Sequence, residues 1–295
     1  MKFDENLVVV HSYLCADGYV VKNPKIQKHK YYRIGLRNTN LILLKDFQRR
    51  FEKFFEIRPH LRKEERCEIG SKKIYEWLTK EFGSFYSNNW EMPKLDIKLA
   101  RIWLRSFFDC EGWVFCKSHQ NRHIGLDSIN EKGINQIIES LKKMNIKTIK
   151  KINKKRKIYR IYIYGKDNLT RFKKEIGFLH PNKSKRLNEI IEDYVKYIWN
   201  FPDNESRCKK FVNKILKDKI RIRKLYYLRI ISKEEINLKR LRQYLKKLYD
   251  IESLFYQRVN GLGTRYYELN INKKEEIEKL IKLKLVPNLF KLRTF

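Results

Sequence analysis

Two stretches of the chain share one order of apolar and polar positions. Residues 8–20 read VVVHSYLCADGYV and residues 101–114 read RIWLRSFFDCEGWV, and each apolar run ends in an acid, a glycine, an aromatic residue and a valine. The likeness continues downstream, where IGLRNTN at 34–40 and IGLDSIN at 124–130 each precede a segment with helical periodicity. A repeat of order as well as of composition predicts two copies of one unit, each about the size of a small domain.

Each copy is predicted to run helix, two strands, helix, two strands, helix. In the second copy the expected strands are WVFCKS, HIGLDS, IKTIKKI and KIYRIYIY, and the closing helices are KDNLTRFKKEI and SKRLNEIIEDYVKYIW. In the first copy the later strands must lie within residues 58–71, and residues 72–82 form a helix that ends at Gly83. Residues 84–95, rich in Asn, Ser and Pro, link the copies.

The pattern changes after Phe201, where a polar break at 202–206 precedes helical segments at 208–220 and 236–251. Two strands joined by Asn260-Gly261-Leu262-Gly263 follow and predict a β-hairpin. Helices followed by a basic hairpin predict a winged-helix-like domain, although its charge would also suit a mere accessory surface. Its predicted DNA contacts are Lys239, Arg240 and Arg242 on the second helix and Arg258 and Arg265 on the hairpin. We therefore expect three domains, 1–94, 95–200 and 201–295.

Charge indicates the kind of partner. The 295 residues include 68 lysines and arginines against 34 acids, a formal charge of +34, and the cations are mixed with Ile, Leu, Tyr and Phe along the whole chain. This mixture favours basic faces on folded elements and a nucleic-acid partner over the alternative of a lysine-rich solvated surface. The absence of a long apolar run or a secretory signal predicts a cytoplasmic protein without a membrane partner.

The repeated stretches resemble the motif of the LAGLIDADG homing endonuclease family in its two-copy, single-chain form. The motif falls on VHSYLCADG at residues 10–18 and on LRSFFDCEG at residues 104–112, and the first copy departs from it at His11 and Cys15. The resemblance covers residues 1 to about 200. It implies an α+β fold in which two pseudo-symmetric αββαββα units form a saddle on double-stranded DNA, within a monomer that has internal pseudo-twofold symmetry.

The motif residues also make physical sense by themselves. Gly18 and Gly112 are predicted to end two helices in a left-handed conformation, which places Asp17 and Glu111 at the last helical turns. A carboxylate is unfavourable at a helix carboxyl end, and a cation between the two ends resolves the conflict. We therefore predict that Asp17 and Glu111 are catalytic residues and ligands of Mg²⁺. Small residues four apart on each helix predict a close helix crossing: Ser12 and Ala16, Ser106 and Cys110.

A lysine completes the predicted site. GFLHPNKSKRL at 177–187 resembles the turn and helix start that close such units, and the resemblance implies that Lys183 is catalytic, either polarising water or stabilising developing charge. The alternative is a solvent-exposed lysine. In the first copy, only Lys72 or Lys73 could be the counterpart. A zinc site at Cys110, Cys116, His119 and His123 has finger-like spacing, but we expect Cys110 in a packed helix and do not predict that site.

Strand alternation predicts the DNA-binding surface. Apolar residues on one face of two strands leave polar and aromatic residues on the other. The predicted contacts are Tyr31, Arg33 and Arg37 in the first copy and Arg160, Tyr162 and Tyr164 in the second. The leading hypothesis is a Mg²⁺-dependent, site-specific double-strand DNA endonuclease, that is, a phosphodiester hydrolase. Its alternatives are a non-cleaving DNA-binding regulator, an RNA intron maturase, and a structure-selective nuclease on branched DNA or RNA.

Overall fold

A computed structural model describes residues 4–24, 26–28, 31–63, 65–117, 120–224, 226–261 and 263–286. The chain divides into two compact units, residues 1–194 and 195–295. The predicted division into three domains stays a prediction. Within the described part of the chain, no helix combines the length and the apolar character needed to cross a bilayer.

The first copy has the predicted order of elements. These are α1 (Glu5–Cys15), β1 (Gly18–Lys22), β2 (Tyr32–Arg37), α2 (Leu41–Phe55), β3 (His60–Arg62), β4 (Arg66–Gly70) and α3 (Lys72–Phe82). The strands form an antiparallel sheet in the order β1-β2-β4-β3. Asp4, Asn40 and Ser71 begin the three helices, because each side chain accepts a hydrogen bond from a backbone N–H of the first turn.

The second copy repeats this order and adds a helix. It contains α4 (Ile97–Glu111), β5 (Gly112–Lys117), β6 (Gln120–Ser128), α5 (Glu131–Lys143), β7 (Ile149–Asn153), β8 (Ile158–Tyr164), α6 (Lys166–Glu175) and α7 (Pro181–Glu192). The sheet order, β5-β6-β8-β7, matches that of the first copy. The predicted closing helix over 184–199 was placed too late, since α7 begins at Pro181 and ends at Glu192. Arg122 fixes that end by donating to the backbone and carboxylate oxygens of Asp193 at 2.7 and 2.9 Å.

The two copies pack through α1 and α4. Residues 7–15 of α1 are buried on every side, which explains why that helix lacks the amphipathic pattern of α2 and α3. One hydrophobic core runs through both copies and includes Val10 and Tyr13 of α1 and Leu104 and Phe108 of α4. The predicted α+β fold with two αββαββα copies is confirmed.

The winged-helix prediction for the second unit is wrong. That unit contains α8 (Glu205–Lys219), β9 (Arg221–Lys224), β10 (Tyr227–Ser232), α9 (Glu235–Tyr249), β11 (Leu254–Val259), β12 (Arg265–Ile271) and α10 (Lys274–Lys282). Two strands separate α8 from α9, so the helices cannot form a helix-turn-helix. The sequence reading missed β10 because charged residues surround it, although Leu228, Ile230 and Ser232 are buried in strict alternation. Trp199 and Phe201 pack in the core of this unit.

Candidate active site

A pair of cross-helix hydrogen bonds holds α1 against α4. Ser12 Oγ donates to the carbonyl oxygen of Trp103 at 2.6 Å, and Trp103 Nε1 donates to Nδ1 of His11 at 3.1 Å. All three residues are almost completely buried. Burial lowers the pKa of His11 to about 3, so the imidazole is neutral and can accept this bond. The small Ser12 side chain allows the close crossing that the sequence predicted.

Gly18 and Gly112 are required for a different reason from the one predicted. Neither has a positive φ angle; Gly112 is extended, with φ −79° and ψ 155°. A Cβ atom at Gly18 would lie 2.4 Å from the Cα of Leu14, and one at Gly112 would lie 2.6 Å from the carbonyl oxygen of Phe108. Each strand therefore leaves its helix directly and folds back against the last turn, where only glycine fits.

The two acids lie at the carboxyl ends of the paired helices. Asp17 follows α1 by two residues, and Glu111 is the last residue of α4. Asn38 Nδ2 donates to Oδ2 of Asp17 at 2.8 Å, and the thiol of Cys110 is also hydrogen-bonded to the Asp17 carboxylate. Burial raises the pKa of Glu111 to about 7, and the negative charges of Asp17 and Asp127 add to the rise. The structure thus brings the two predicted acids within electrostatic reach of each other.

Asp127 is a third acid that the sequence reading did not select. It lies on β6 and lines, with Ala16 and Glu111, a cleft of about 240 Å³. Arg160, predicted to contact DNA, donates from Nε to Oδ2 of Asp127 at 3.1 Å. The repeat held a signal for this residue, because Asp127 in IGLDS stands where Arg37 stands in IGLRN. The two copies therefore place opposite charges at the equivalent position of their sheets.

Lys183 caps the end of α4. Its Nζ donates to the carbonyl oxygens of Phe108, Asp109 and Cys110 at 3.2, 2.6 and 3.0 Å. Burial lowers the pKa of this lysine, while neighbouring negative groups, including both site acids, oppose the change. Lys183 is therefore neither solvent-exposed nor remote from the acids. Its catalytic role stays a prediction. Lys72, a suggested counterpart, is exposed and forms an ion pair with Glu76 at 3.7 Å.

Asp109 positions the turn that carries Lys183. Its carboxylate accepts hydrogen bonds from the backbone N–H groups of Leu179 and His180 at 3.1 and 2.9 Å. The side chain is buried, and burial raises its pKa to about 6 despite these bonds. The predicted elements gave no reason to select Asp109, since its partners lie some 70 residues away in sequence. It ties the start of α7 to α4.

The predicted DNA contacts of the first unit lie on the sheet faces opposite the helices. Arg33 and Arg37 are exposed, and the Arg33 guanidinium lies 4.6 Å from the centre of the Tyr31 ring. Tyr162 and Tyr164 stack with ring centres 5.7 Å apart. These side chains are available to a ligand. Arg160, on the same face as Tyr162 and Tyr164, is instead paired with Asp127.

The predicted DNA contacts in the second unit do not lie on one common surface. Leu238, Leu241 and Leu245 of α9 face the core. Lys239, Arg240 and Arg242 lie on the exposed side of the same helix. Strand alternation places Arg258 and Arg265 on opposite faces of the hairpin, because Arg258 is paired with Tyr266. A common wing bearing both arginines is therefore excluded.

Metal ligands are few in the described residues. No three His, Cys, Asp or Glu side chains there are grouped so as to hold a metal ion. Cys116 of the rejected zinc set is exposed and contacts Asp193 at 3.7 Å, and His119 lies outside the described residues. A cation at the helix ends would therefore take its protein ligands from the Asp17 and Glu111 pair.

Residues 98–177, which extend from α4 to just beyond α6, match the family model of the LAGLIDADG-like domain. This stretch of the chain, about a quarter of its length, is therefore similar to the LAGLIDADG-like domain. The chain is 27% identical over 135 residues to the homing endonuclease I-ApeI of Aeropyrum pernix, covering 43% of this chain and 60% of that protein. It is also 27% identical over 203 residues to a replication factor C small subunit of Methanocaldococcus jannaschii, covering 65% of this chain but 10% of that protein.

A solved structure of variants of the homing endonuclease I-DmoI is similar over 62% of this chain and 99% of that chain, with 13% identity and a TM-score of 0.46. The chain spans less than two thirds of the length of both curated relatives. The activities named for these relatives are therefore properties of those proteins, and this similarity does not transfer them to the present chain.

Proposed function

We propose that this chain is a LAGLIDADG protein and a metal-dependent, site-specific endonuclease that cuts both strands of duplex DNA, with Mg²⁺ as its metal. The observation that carries the proposal is the pair of acids at the ends of two packed helices. Their mutual repulsion, with Asp127, helps raise the pKa of Glu111 to about 7. A structural role would favour a neutral residue at such a place, whereas a bound cation gains from every one of these negative charges.

The donor set suits a hard divalent cation. Asp17 and Glu111 offer carboxylate oxygens, which Mg²⁺ prefers, and Mg²⁺ commonly takes only one or two carboxylates while water and phosphate fill its other positions. The three hydrogen bonds of Lys183 go to carbonyl oxygens of α4, and its charge only partly offsets the rise in the pKa of Glu111. When bound, the metal would stabilise negative charge on the scissile phosphate and lower the pKa of an attacking water.

The remaining residues position these groups. Asn38 orients Asp17 through its 2.8 Å hydrogen bond, and the Asp109 bonds to the turn before α7 hold Lys183 beside the acids. Glu111 must lose its proton before it can bind metal, so metal binding releases a proton near neutral pH. Each copy contributes one acid, which supports one cut in each DNA strand.

The sheets of the first unit supply the proposed DNA surface. Exposed Arg33 and Arg37 and the stacked Tyr162 and Tyr164 offer phosphate donors and flat aromatic surfaces. The charge of +34 gives a strong attraction to a polyanion independently of base sequence.

The test is incubation of the whole chain with linear duplex, branched and single-stranded DNA and with RNA, in Mg²⁺ or in EDTA. We expect Mg²⁺-dependent cutting at discrete positions in a library of linear duplexes. Preferred cutting of branched DNA would replace site specificity by structure selectivity. Specific binding without cutting would support a regulator, and selective binding of a structured RNA would support a maturase.

A further inference from the structure

We propose that residues 195–295 form a third copy of the αββαββα unit, and that the open face of its sheet binds the phosphate backbone of duplex DNA. The open face is the side of the sheet away from the helices and is represented by Tyr256, Arg258, Arg229 and Glu268. The proposal rests on the proposed function of the first two copies. It adds a third binding surface where the sequence predicted a winged helix.

Topology is the first observation. The four strands pair antiparallel in the order β9-β10-β12-β11, which is the order of β1-β2-β4-β3 and β5-β6-β8-β7. The register agrees as well. Glu68 in the middle of β4 lies opposite His60 of β3, and Glu268 in the middle of β12 lies opposite Tyr256 of β11.

The second observation is a cation held at the same place in all three sheets. The cation lies on the edge strand, two residues beyond the residue that pairs with a particular open-face residue of the neighbouring strand. Those pairs are His60 with Glu68, Ile149 with Tyr162, and Tyr256 with Glu268. In each copy that open-face residue contacts the cation. The three pairs are Arg62 with Glu68 at 2.7 Å, Lys151 over the ring of Tyr162 at 5.5 Å, and Arg258 with Glu268 at 3.5 Å.

The open face of the third sheet is positively charged at its centre. Glu268 is 3% exposed and binds Arg229 at 2.7 Å as well as Arg258, so two cations meet one carboxylate. Half of the Arg258 side chain is exposed. Because a guanidinium has five N–H donors, its bond to Glu268 leaves others free for a phosphate. Arg221 adds a third cation, since it is paired in register with Arg229.

The third copy lacks the features that the proposed chemistry needs. Helix α8 buries Cys208, Val212, Ile215 and Leu216 and exposes its other side, whereas α1 is buried all round. Helix α8 ends at Lys219, and Ile220 and Arg221 follow it in place of the motif's acid and glycine. Residues 201–295 nevertheless hold 25 lysines and arginines against 11 acids. This composition fits a polyanion-binding module without a cleavage site.

The test uses the full chain with a labelled random-sequence DNA duplex in EDTA, so that nothing is cut. Anisotropy titrations over a range of KCl concentrations compare the wild type with Arg258→Ala. The matched control is Arg207→Ala, which removes the same charge from the exposed side of α8. Arg62→Ala and Lys151→Ala report on the equivalent positions of the first two copies, and circular dichroism confirms that each variant is folded.

We expect Arg258→Ala to weaken binding roughly eightfold at about 0.1 M salt and to reduce the salt slope by about 0.9, as loss of one phosphate contact requires. Arg207→Ala should change neither. If only the Arg62 and Lys151 variants weaken binding, or if Arg207→Ala matches Arg258→Ala, the third surface is refuted while the proposed function stands. A wild type that does not bind duplex DNA, or that binds duplex RNA more tightly, refutes both.

Discussion

Trp103 on α4 donates a hydrogen bond to His11 on α1 at 3.1 Å, so the residue at which the first motif departs from the LAGLIDADG pattern has a partner in the helix interface. The histidine is enclosed by the rings of Phe82, Phe85 and Trp103 and touches the thiol of Cys15. The first motif thus uses a neutral imidazole as an acceptor in the helix interface. Replacement by an apolar residue would leave the indole N–H without a partner.

Acid should destabilise the protein through His11. Its folded pKa of about 3 lies below the ordinary value of 6.5, so the unfolded chain takes up the proton first and stability falls as pH drops below 6.5. Between pH 7.5 and 5 this contribution amounts to about 2 kcal/mol. Glu111 acts in the opposite direction, because its raised pKa makes the metal-free protein less stable as pH rises from 4.5 to about 7. Urea unfolding of wild type and His11→Gln across this range isolates the histidine, and parallel pH profiles would contradict its buried neutral state.

The close approach at the motif glycines predicts a cost for any side chain. Gly18→Ala and Gly112→Ala should each lower the free energy of unfolding by about 1 to 3 kcal/mol, because the new Cβ meets backbone atoms of the preceding helix turn. Gly261→Ala is the matched control, since nothing lies within 4 Å of its Cβ position. The midpoints of thermal unfolding measure the difference. Equal midpoints for Gly18→Ala and Gly261→Ala would show that the strand does not pack on the helix in this way.

Lys183 should contribute both to the free energy of unfolding and to the rate at which one of the two DNA strands is cut. Lys183→Met removes three charge-assisted bonds to the end of α4, and we expect a loss of roughly 2 kcal/mol. Because this lysine lies on the Glu111 side, the strand cut with Glu111 should slow more than the other, and nicked DNA should accumulate. Lys185→Met, exposed on the same helix, is the control. Equal slowing of both strands would make the lysine a purely structural cap.

Removal of the second unit tests its independence. A chain that ends at Tyr194 should fold, keep metal-dependent cutting, and bind DNA with lower affinity and a smaller salt slope. A chain that ends near residue 203 should fold less well, because Trp199 and Phe201 would lose the core in which they pack. The comparison uses solubility, circular dichroism and anisotropy. Undiminished affinity of the shorter chain would assign no binding role to the second unit.

Sequence patterns predicted the two-copy fold because the repeat fixed the order of elements and periodicity fixed their type. They failed where the signal was short or shared with another fold. Residues 236–271 suit a winged helix as well as an αββαββα unit, and only the pairing of β10 with β12 decides between them. The role of Asp109 and the carbonyl contacts of Lys183 could not be predicted from sequence patterns, because they join chain segments some 70 residues apart. The need for glycine at positions 18 and 112 was predicted correctly, but the reason is a close backbone approach and not a left-handed conformation.

The central claim is that Asp17 and Glu111 together hold the metal that cuts DNA, one strand for each acid. The most direct measurement is strand-resolved cleavage of a duplex selected from a random library by the wild type, with Mg²⁺ present. Asp17→Asn and Glu111→Gln should each abolish double-strand cutting and keep affinity within about tenfold, because each removes a metal ligand and not a phosphate contact. Glu139→Gln, an exposed acid on α5, should cut normally. Undiminished double-strand cutting by both site variants would contradict the account.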